Sequence, residues 1–293
     1  MTDRDISLAA EICVRPIRFR CRGRLLDLTE KTWIVGVLNV TPDSFSDGGR
    51  FVDAAAAVDQ AMRMAEEGAD ILELGGESTR PGAVPVPVDE ELRRILPVLR
   101  GLRARLAMPL AVDTYKPEVA RVVLGEGAEI INDIYGVRGE GHLAEVVAQA
   151  GAGLVIMHMK GAPGDMQIEP SYDDVVGEIV AFLGDRVAFA EGVGVDPESI
   201  VVDPGLGFGK RLQDNLALLR QMSAFHRLQK PIMVSPSRKS FIGKVLDLPV
   251  EERQNGTAAC VAAAVLQGVA FVRVHEIRPA VHLIKMLDAI MRA

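Results

Sequence analysis

The sequence predicts an α/β protein: a single (β/α)8 TIM barrel with an N-terminal hairpin across its bottom. Three observations predict it. Short aliphatic runs without strict alternation recur along the whole chain, the pattern of strands buried on both faces of a parallel sheet. Stretches with apolar positions every three to four residues separate them, so that strand and helix alternate eight times. The 293 residues are an ordinary length for one such barrel, and no linker or low-complexity tract divides them. The chain therefore reads as one domain over residues 1–293, with 1–30 as an extension and hairpin. An open, doubly wound sheet is the alternative architecture.

Residues 14–30, with Arg-rich alternation and Leu25–Leu28, carry the hairpin. The strands follow at Trp33–Leu38, Ile71–Leu74, Leu110–Val112, Glu129–Ile131, Gly153–Met157, Ile200–Val202, Ile232–Val234 and Phe271–Val274. Helical spacing occupies Ala54–Glu67, Glu90–Leu106, Lys116–Leu124, His142–Ala150, Tyr172–Glu191, Asn215–Leu228, Glu251–Leu266 and Pro279–Met291.

Composition excludes several classes of function. The formal net charge is −7 and no basic cluster is visible, which argues against a nucleic-acid or anionic-membrane surface. Cys13, Cys21 and Cys260 are odd in number and form no CxxC pair, which fits a reduced, cytoplasmic protein. The first residues carry acids and lack an apolar signal core, and the longest apolar run, Ala258–Leu266, is too short to span a bilayer.

The unusual polar residues fall where the strands end. The first strand runs into Asn39 and Thr41–Gly49; the second carries Glu73 and runs into Gly75–Gly82. The third ends at Asp113, the fourth at Asn132 and Asp133, the fifth at His158 and the sixth at Asp203. The seventh leads to Ser237–Ser240 and the eighth to Arg273 and His275. In a (β/α)8 barrel these ends converge on the rim that carries active sites. Any one Asp or Asn there could simply cap a helix or turn. That reading weakens when all eight ends contribute, and most for Asp113, Asp203 and Lys239, which look like inward charges needing partners.

Eight segments carry a resemblance to a known family: NVTPDSFSDGG (Asn39–Gly49), GGESTRPG (Gly75–Gly82), VDTYKPEVA (Val112–Ala120), INDIYG (Ile131–Gly136), MHMKGAPGDMQ (Met157–Gln167), DPGLGFGK (Asp203–Lys210), SRKSFIG (Ser237–Gly243) and RVHE (Arg273–Glu276). In this order, over residues 33–276, they resemble the dihydropteroate synthases. The first two together are highly specific. The resemblance implies displacement of pyrophosphate from a dihydropterin methylene by 4-aminobenzoate, which needs three subsites.

A flat, donor-rich aminopyrimidinone needs carboxylate or amide acceptors and a donor for its oxygen or ring nitrogen. Asp113, Asn132, Asp203 and Lys239 match the family's pterin positions, with Met157 and Phe208 beside the ring. Arg273 and His275 lie two apart at a strand end and point the same way. The resemblance assigns them, with Asn39 and Arg80, to the pyrophosphate, and it assigns the catalytic work to Lys239, Arg273 and Asp113. It also implies Mg2+ bound through Asn39, since Mg2+ bridges phosphate oxygens with few protein ligands. Phe45, Thr79, Pro81 and Ser237 are implied for the aminobenzoate, and a homodimer through the last helices.

Several apparent motifs are discounted. Gly205–Lys210 is no phosphate-binding P-loop, because Pro204 stands where the first Gly belongs and Arg211 replaces Ser/Thr. His158 has no second His four residues on, so a zinc site is not expected there. Glu73 and Glu276 stand where the family commonly has Asp, and Ser235-Pro236 where many members have Gly. Glu73 could pair with Arg273 inside the barrel. Two further readings use the same fold: a methyltetrahydrofolate-type pterin methyltransferase, which lacks NVTPDSFSDGG and GGESTRPG, and a non-catalytic pterin-binding paralogue.

Overall fold

The computed structural model describes residues 18–40, 50–79, 82–139 and 142–293. Strands β1 (Arg18–Cys21) and β2 (Arg24–Asp27) pair antiparallel, Cys21 opposite Arg24. The two-residue turn between them places Arg22 and Gly23 at φ 43° and 82°, the left-handed pair whose twist suits a hairpin.

Eight parallel strands follow: β3 (Trp33–Asn39), β4 (Ile71–Gly75), β5 (Leu110–Asp113), β6 (Ile130–Asp133), β7 (Gly153–Met157), β8 (Ile200–Asp203), β9 (Met233–Val234) and β10 (Phe271–Val274). Their order is β8-β7-β6-β5-β4-β3-β10-β9. A parallel bridge between Val202 and Ile232 joins β8 to the β9 segment and closes the ring, so the open-sheet alternative does not hold. The helices are α1 (Arg50–Glu67), α2 (Val88–Arg103), α3 (Pro117–Gly125), α4 (His142–Ala150), α5 (Val175–Gly192), α6 (Leu212–Arg220), α7 (Ser240–Leu246), α8 (Gln254–Val265) and α9 (Ile277–Arg292).

Two differences from the sequence reading have local causes. The periodic stretch 215–228 is not one helix: α6 stops at Arg220, and Met222–Leu228 winds as a tighter 3-10 segment. That geometry eclipses residues three apart, so Met222 and Phe225 both reach the core. Helix α7, only seven residues, lies outside the stretches with helical spacing; its stability comes from burying Phe241 and Ile242 rather than from a long local pattern.

The interior is layered, and the layering positions the site. Side chains alternate along a strand, so residues two apart share a face. Val35, Ile71, Ala111, Ile130, Val155, Val201, Met233 and Phe271 form a dry layer near the strand starts. Phe19 of the hairpin plugs it from below, edge-on to Phe271 with ring centroids 5.5 Å apart. A Cβ on Gly153 would stand 2.4 Å from the Phe19 ring, so only glycine lets the plug seat. Two residues further along the strands, the same inward face carries Glu73, Asp113, Asn132, Met157, Asp203, Ser235 and Arg273. The polar groups thus lie one layer above an apolar floor, at the C-terminal mouth where barrel chemistry sits.

Candidate active site

Arg273 on β10 is central to the mouth. Its Nε donates to Glu73 Oε1 on β4 at 2.7 Å, and its Nη2 donates to the same oxygen and to Asp113 Oδ2 on β5 at 3.2 Å. Glu73 is 1% exposed and Asp113 8%. One guanidinium therefore faces two carboxylates in a largely buried pocket. Burial, and then the negative charge of Glu73, push the Asp113 carboxyl well above the usual carboxylate range, with Arg273 opposing them. Burial also works against the Arg273 charge, but Glu73 and Asp113 outweigh it and keep the guanidinium protonated.

Across the mouth, Asp203 closes β8. Its Oδ1 accepts from the Gly205 N–H at 2.7 Å, and its Oδ2 accepts from Ser235 Oγ at 3.0 Å. Burial raises its pKa; Lys239 and these two hydrogen bonds restrain the rise. Lys239, the residue before α7, donates to the Leu206 carbonyl, and its ammonium lies 4.2 Å from the centroid of the Phe208 ring. Burial pushes that ammonium down to about 7, with Asp203 opposing. A Cβ on Gly207 would stand 2.8 Å from Lys239 Cδ, and Gly207 has φ 81°, so both space and backbone demand glycine in this turn.

The turn is supported from beneath by Lys210, to which the sequence reading assigns no role of its own. Lys210, 3% exposed, directs its Nζ, whose charge burial disfavours, at His158 Nδ1 (3.0 Å), the His158 carbonyl (3.3 Å) and the Phe208 carbonyl (2.9 Å). Burial, then the Lys210 charge, depress His158 to about 2, so its ring is neutral and its Nδ1 can accept. His158 is a packing partner here, seated edge-on to Phe182 at 4.9 Å. Among the described residues no group of three or more His, Cys, Asp or Glu could hold a metal ion.

The structure brings together most of the residues singled out. Asn132 is buried on β6 beside Asp113, and Met157 is buried with Phe208 in a small apolar cluster that includes Met159 and Met166. Asn39 ends β3 with its Oδ1 beside Gly75. Ser237 Oγ lies 3.1 Å from His275 Nδ1, so these two meet at the exposed rim rather than in the buried layer with Arg273. Thr79 lies half-buried in the loop after β4. Phe45, Arg80 and Pro81 fall outside the described residues. Asp113 caps no helix, since Lys116 holds the N-cap position of α3. Asp133 does serve as a turn anchor, accepting from the Tyr135 and Val137 N–H groups at 2.8 and 2.6 Å. Asp203 does both, anchoring its turn while standing in the polar layer.

A closed barrel whose mouth presents three carboxylates, an amide, a lysine and an arginine over an apolar floor has the form of a pterin-binding enzyme. The model of the family described as "Pterin binding enzyme" matches residues 35–275. The chain is 44% identical over 269 residues to the dihydropteroate synthase of a Synechocystis species, covering 92% of this chain and 93% of that one. It superposes with a TM-score of 0.88 on the Xanthomonas albilineans dihydropteroate synthase solved with 4-aminobenzoic acid, at 43% identity, covering 95% and 100% of the two chains. The structure of that species' enzyme in complex with 7,8-dihydropteroate gives a TM-score of 0.84 at 39% identity, covering 94% and 99%. The chain belongs to the dihydropteroate synthase family.

Proposed function

We propose that this chain condenses 6-hydroxymethyl-7,8-dihydropterin pyrophosphate with 4-aminobenzoate, giving 7,8-dihydropteroate and pyrophosphate. One observation carries the reading most directly. Asp113 and Arg273 lie 3.2 Å apart, so a carboxylate suited to a pterin N–H adjoins a cation suited to a departing diphosphate. A methyltransferase has no use for that cation, and the full-length similarity is to the synthases.

In this reading Asp113, Asn132 and Asp203 accept hydrogen bonds from the pterin edge. Lys239 donates to its oxygen or ring nitrogen, and Met157 and Phe208 flank its faces. The low pKa of Lys239 leaves a donor that is charged below about pH 7 and neutral above. The dihydropterin releases electron density into its methylene as the C–O bond to pyrophosphate breaks. Arg273, with His275 and Asn39, would face the charge that develops on the leaving oxygens, and stabilising it lowers the barrier; the resemblance assigns Arg80 to the same group. The aminobenzoate nitrogen then attacks the methylene carbon and loses its proton. Thr79 and Ser237 would receive that amine, and the resemblance assigns Phe45 and Pro81 to the same subsite.

Mg2+ fits this arrangement as a companion of the diphosphate. The half-buried Asn39 offers a neutral hard oxygen at the rim, whereas no acidic cluster among the described residues would hold the ion alone. Bound there, it would neutralise phosphate charge; the residues above would still set the geometry. Met286, Ile290 and Met291 leave apolar surface exposed on α9, which suits a homodimer through the last helices. Cys21 and Cys260 are free thiols, and no helix among the described residues is long and apolar enough to cross a membrane; both fit a cytoplasmic location. Pyrophosphate release from the two substrates, coupled to dihydropteroate formation, tests the proposal; no product with both substrates and Mg2+ present refutes it.

A further inference from the structure

A second charged cluster lies outside the pterin layer, beneath the loop that follows β4. Lys116, immediately before α3, directs its ammonium at Glu77 Oε2 (2.6 Å), Glu91 Oε2 (2.5 Å) and the Val86 carbonyl (2.7 Å). Three acceptors meet the three donors of an ammonium. The side chains of Lys116, Glu77 and Glu91 are 12%, 8% and 1% exposed, so this is not a solvated surface pair. Glu77 gathers further contacts. The Val86 N–H donates to its Oε2 at 2.9 Å, and the Tyr115 hydroxyl hydrogen-bonds the same carboxylate.

These contacts span three elements. Glu77 opens the loop that leads to Thr79; Tyr115 and Lys116 follow β5, two and three residues after Asp113; Glu91 lies in the first turn of α2. The loop's root is held from the other side as well. Arg94 donates to the Gly76 carbonyl at 2.9 Å, and a Cβ on Gly76 would stand 3.0 Å from Glu91 Cγ. Further along, the Gly82 N–H reaches the Pro163 carbonyl at 3.0 Å.

We infer that Glu77, clamped by Lys116 and Tyr115, is a positioning residue for the aminobenzoate subsite, and that it fixes where Thr79 stands relative to the strand end bearing Asp113. This rests on the proposed synthase reading. Glu77 needs no contact with either substrate for this role. A buried carboxylate tied to a lysine on the next strand's exit permits one loop placement, and an amide cannot hold it as strongly, because bonds between ions exceed neutral ones. The pterin layer is built on strand ends and on turns across the mouth that the clamp does not touch. The effect should therefore fall on one substrate.

Steady-state kinetics with each substrate varied in turn tests the inference. Glu77→Gln keeps the shape and the Val86 contact but removes the charge; the KM for 4-aminobenzoate should rise at least about tenfold, on the scale of a charge-assisted bond. The KM for dihydropterin pyrophosphate should stay within about twofold. Lys116→Met should raise the same KM, and the pair together should add little to either alone, since both act through one contact. Tyr115→Phe leaves every charge in place and should raise the aminobenzoate KM by about threefold, which keeps the test open if the charge variants fold poorly. An unchanged aminobenzoate KM in folded Glu77→Gln or Tyr115→Phe overturns the inference, as does an equal rise in both KM values. Absence of turnover in the unmodified protein instead removes the synthase reading on which it rests.

Discussion

Replacing Arg273 with alanine separates what this residue does for the barrel from what it does for the reaction. The guanidinium donates to both Glu73 and Asp113 inside the mouth. Its removal leaves two buried carboxylates facing each other with no cation bonded to either. Breaking a buried ion pair from one side costs about 3–5 kcal/mol, mostly as the penalty for the charge left behind. Part of that cost is avoidable here, because Asp113 already holds its proton more tightly than an ordinary carboxylate and can neutralise itself. A loss near the lower end, about 3 kcal/mol, is expected for Arg273→Ala. Glu73→Gln in the same background removes one of the two stranded charges and should restore a large part of the stability. Catalysis should not follow: both variants lack the cation proposed to meet the leaving oxygens. Turnover should fall about 10²-fold or more, the scale of one lost electrostatic stabiliser, and remain low in the double variant. Denaturant titration gives the stability, and pyrophosphate release at saturating substrates gives kcat. A kcat within about threefold of the parent in folded Arg273→Ala, or recovery of kcat together with stability in the double variant, would refute a catalytic role for this cation.

The remaining predictions concern the other subsites. Asp113→Asn and Asp203→Asn each set an amide donor against pterin donors, and pterin affinity by calorimetry should weaken about ten- to a hundredfold; native affinity in both would remove the pocket assignment. Because burial lowers Lys239 to about 7, its ammonium is charged below that pH and neutral above, so kcat/KM for the pterin substrate should fall as pH rises through 7. Lys239→Arg keeps the charge and should abolish that limb; a flat parent profile to pH 9 would contradict it. Pyrophosphate with Mg2+ should tighten 4-aminobenzoate, or a sulfonamide mimic, at least about fivefold, with the reciprocal effect on pyrophosphate, and equal affinities would mean the two subsites are uncoupled. Chelation of Mg2+ should depress turnover strongly, and addition of the ion should restore it.

What was legible in the sequence was local. Aliphatic runs and helical spacing were enough for eight strands in the right order, because each strand of a parallel barrel is buried on both faces and each helix on one. The rim residues were legible for the same reason: Asp113, Asp203 and Arg273 interrupt runs that are otherwise apolar, and a charge at the end of a buried strand demands an explanation from any sequence. Pairing was not determined there. Arg273 meets Glu73 across a 200-residue separation, and Lys210 meets His158 across 52, only because barrel closure and register bring those strand ends to one height. Lys116 had a visible signal, a lysine just before the proline that opens a helix, but its spacing reads equally as a solvated face. Its burial against Glu77 and Glu91 depends on how α2 and the β4 loop pack over α3. Helix α7 and the break after Arg220 were likewise set by packing, where short segments gain more from the core they cover than from their own hydrogen bonds. The sequence by itself determined that Asp113, Asn132, Asp203 and Arg273 fall at strand ends. The tertiary structure decided which of them share a charge, because that depends on distances of a few ångströms between strands that no local pattern encodes.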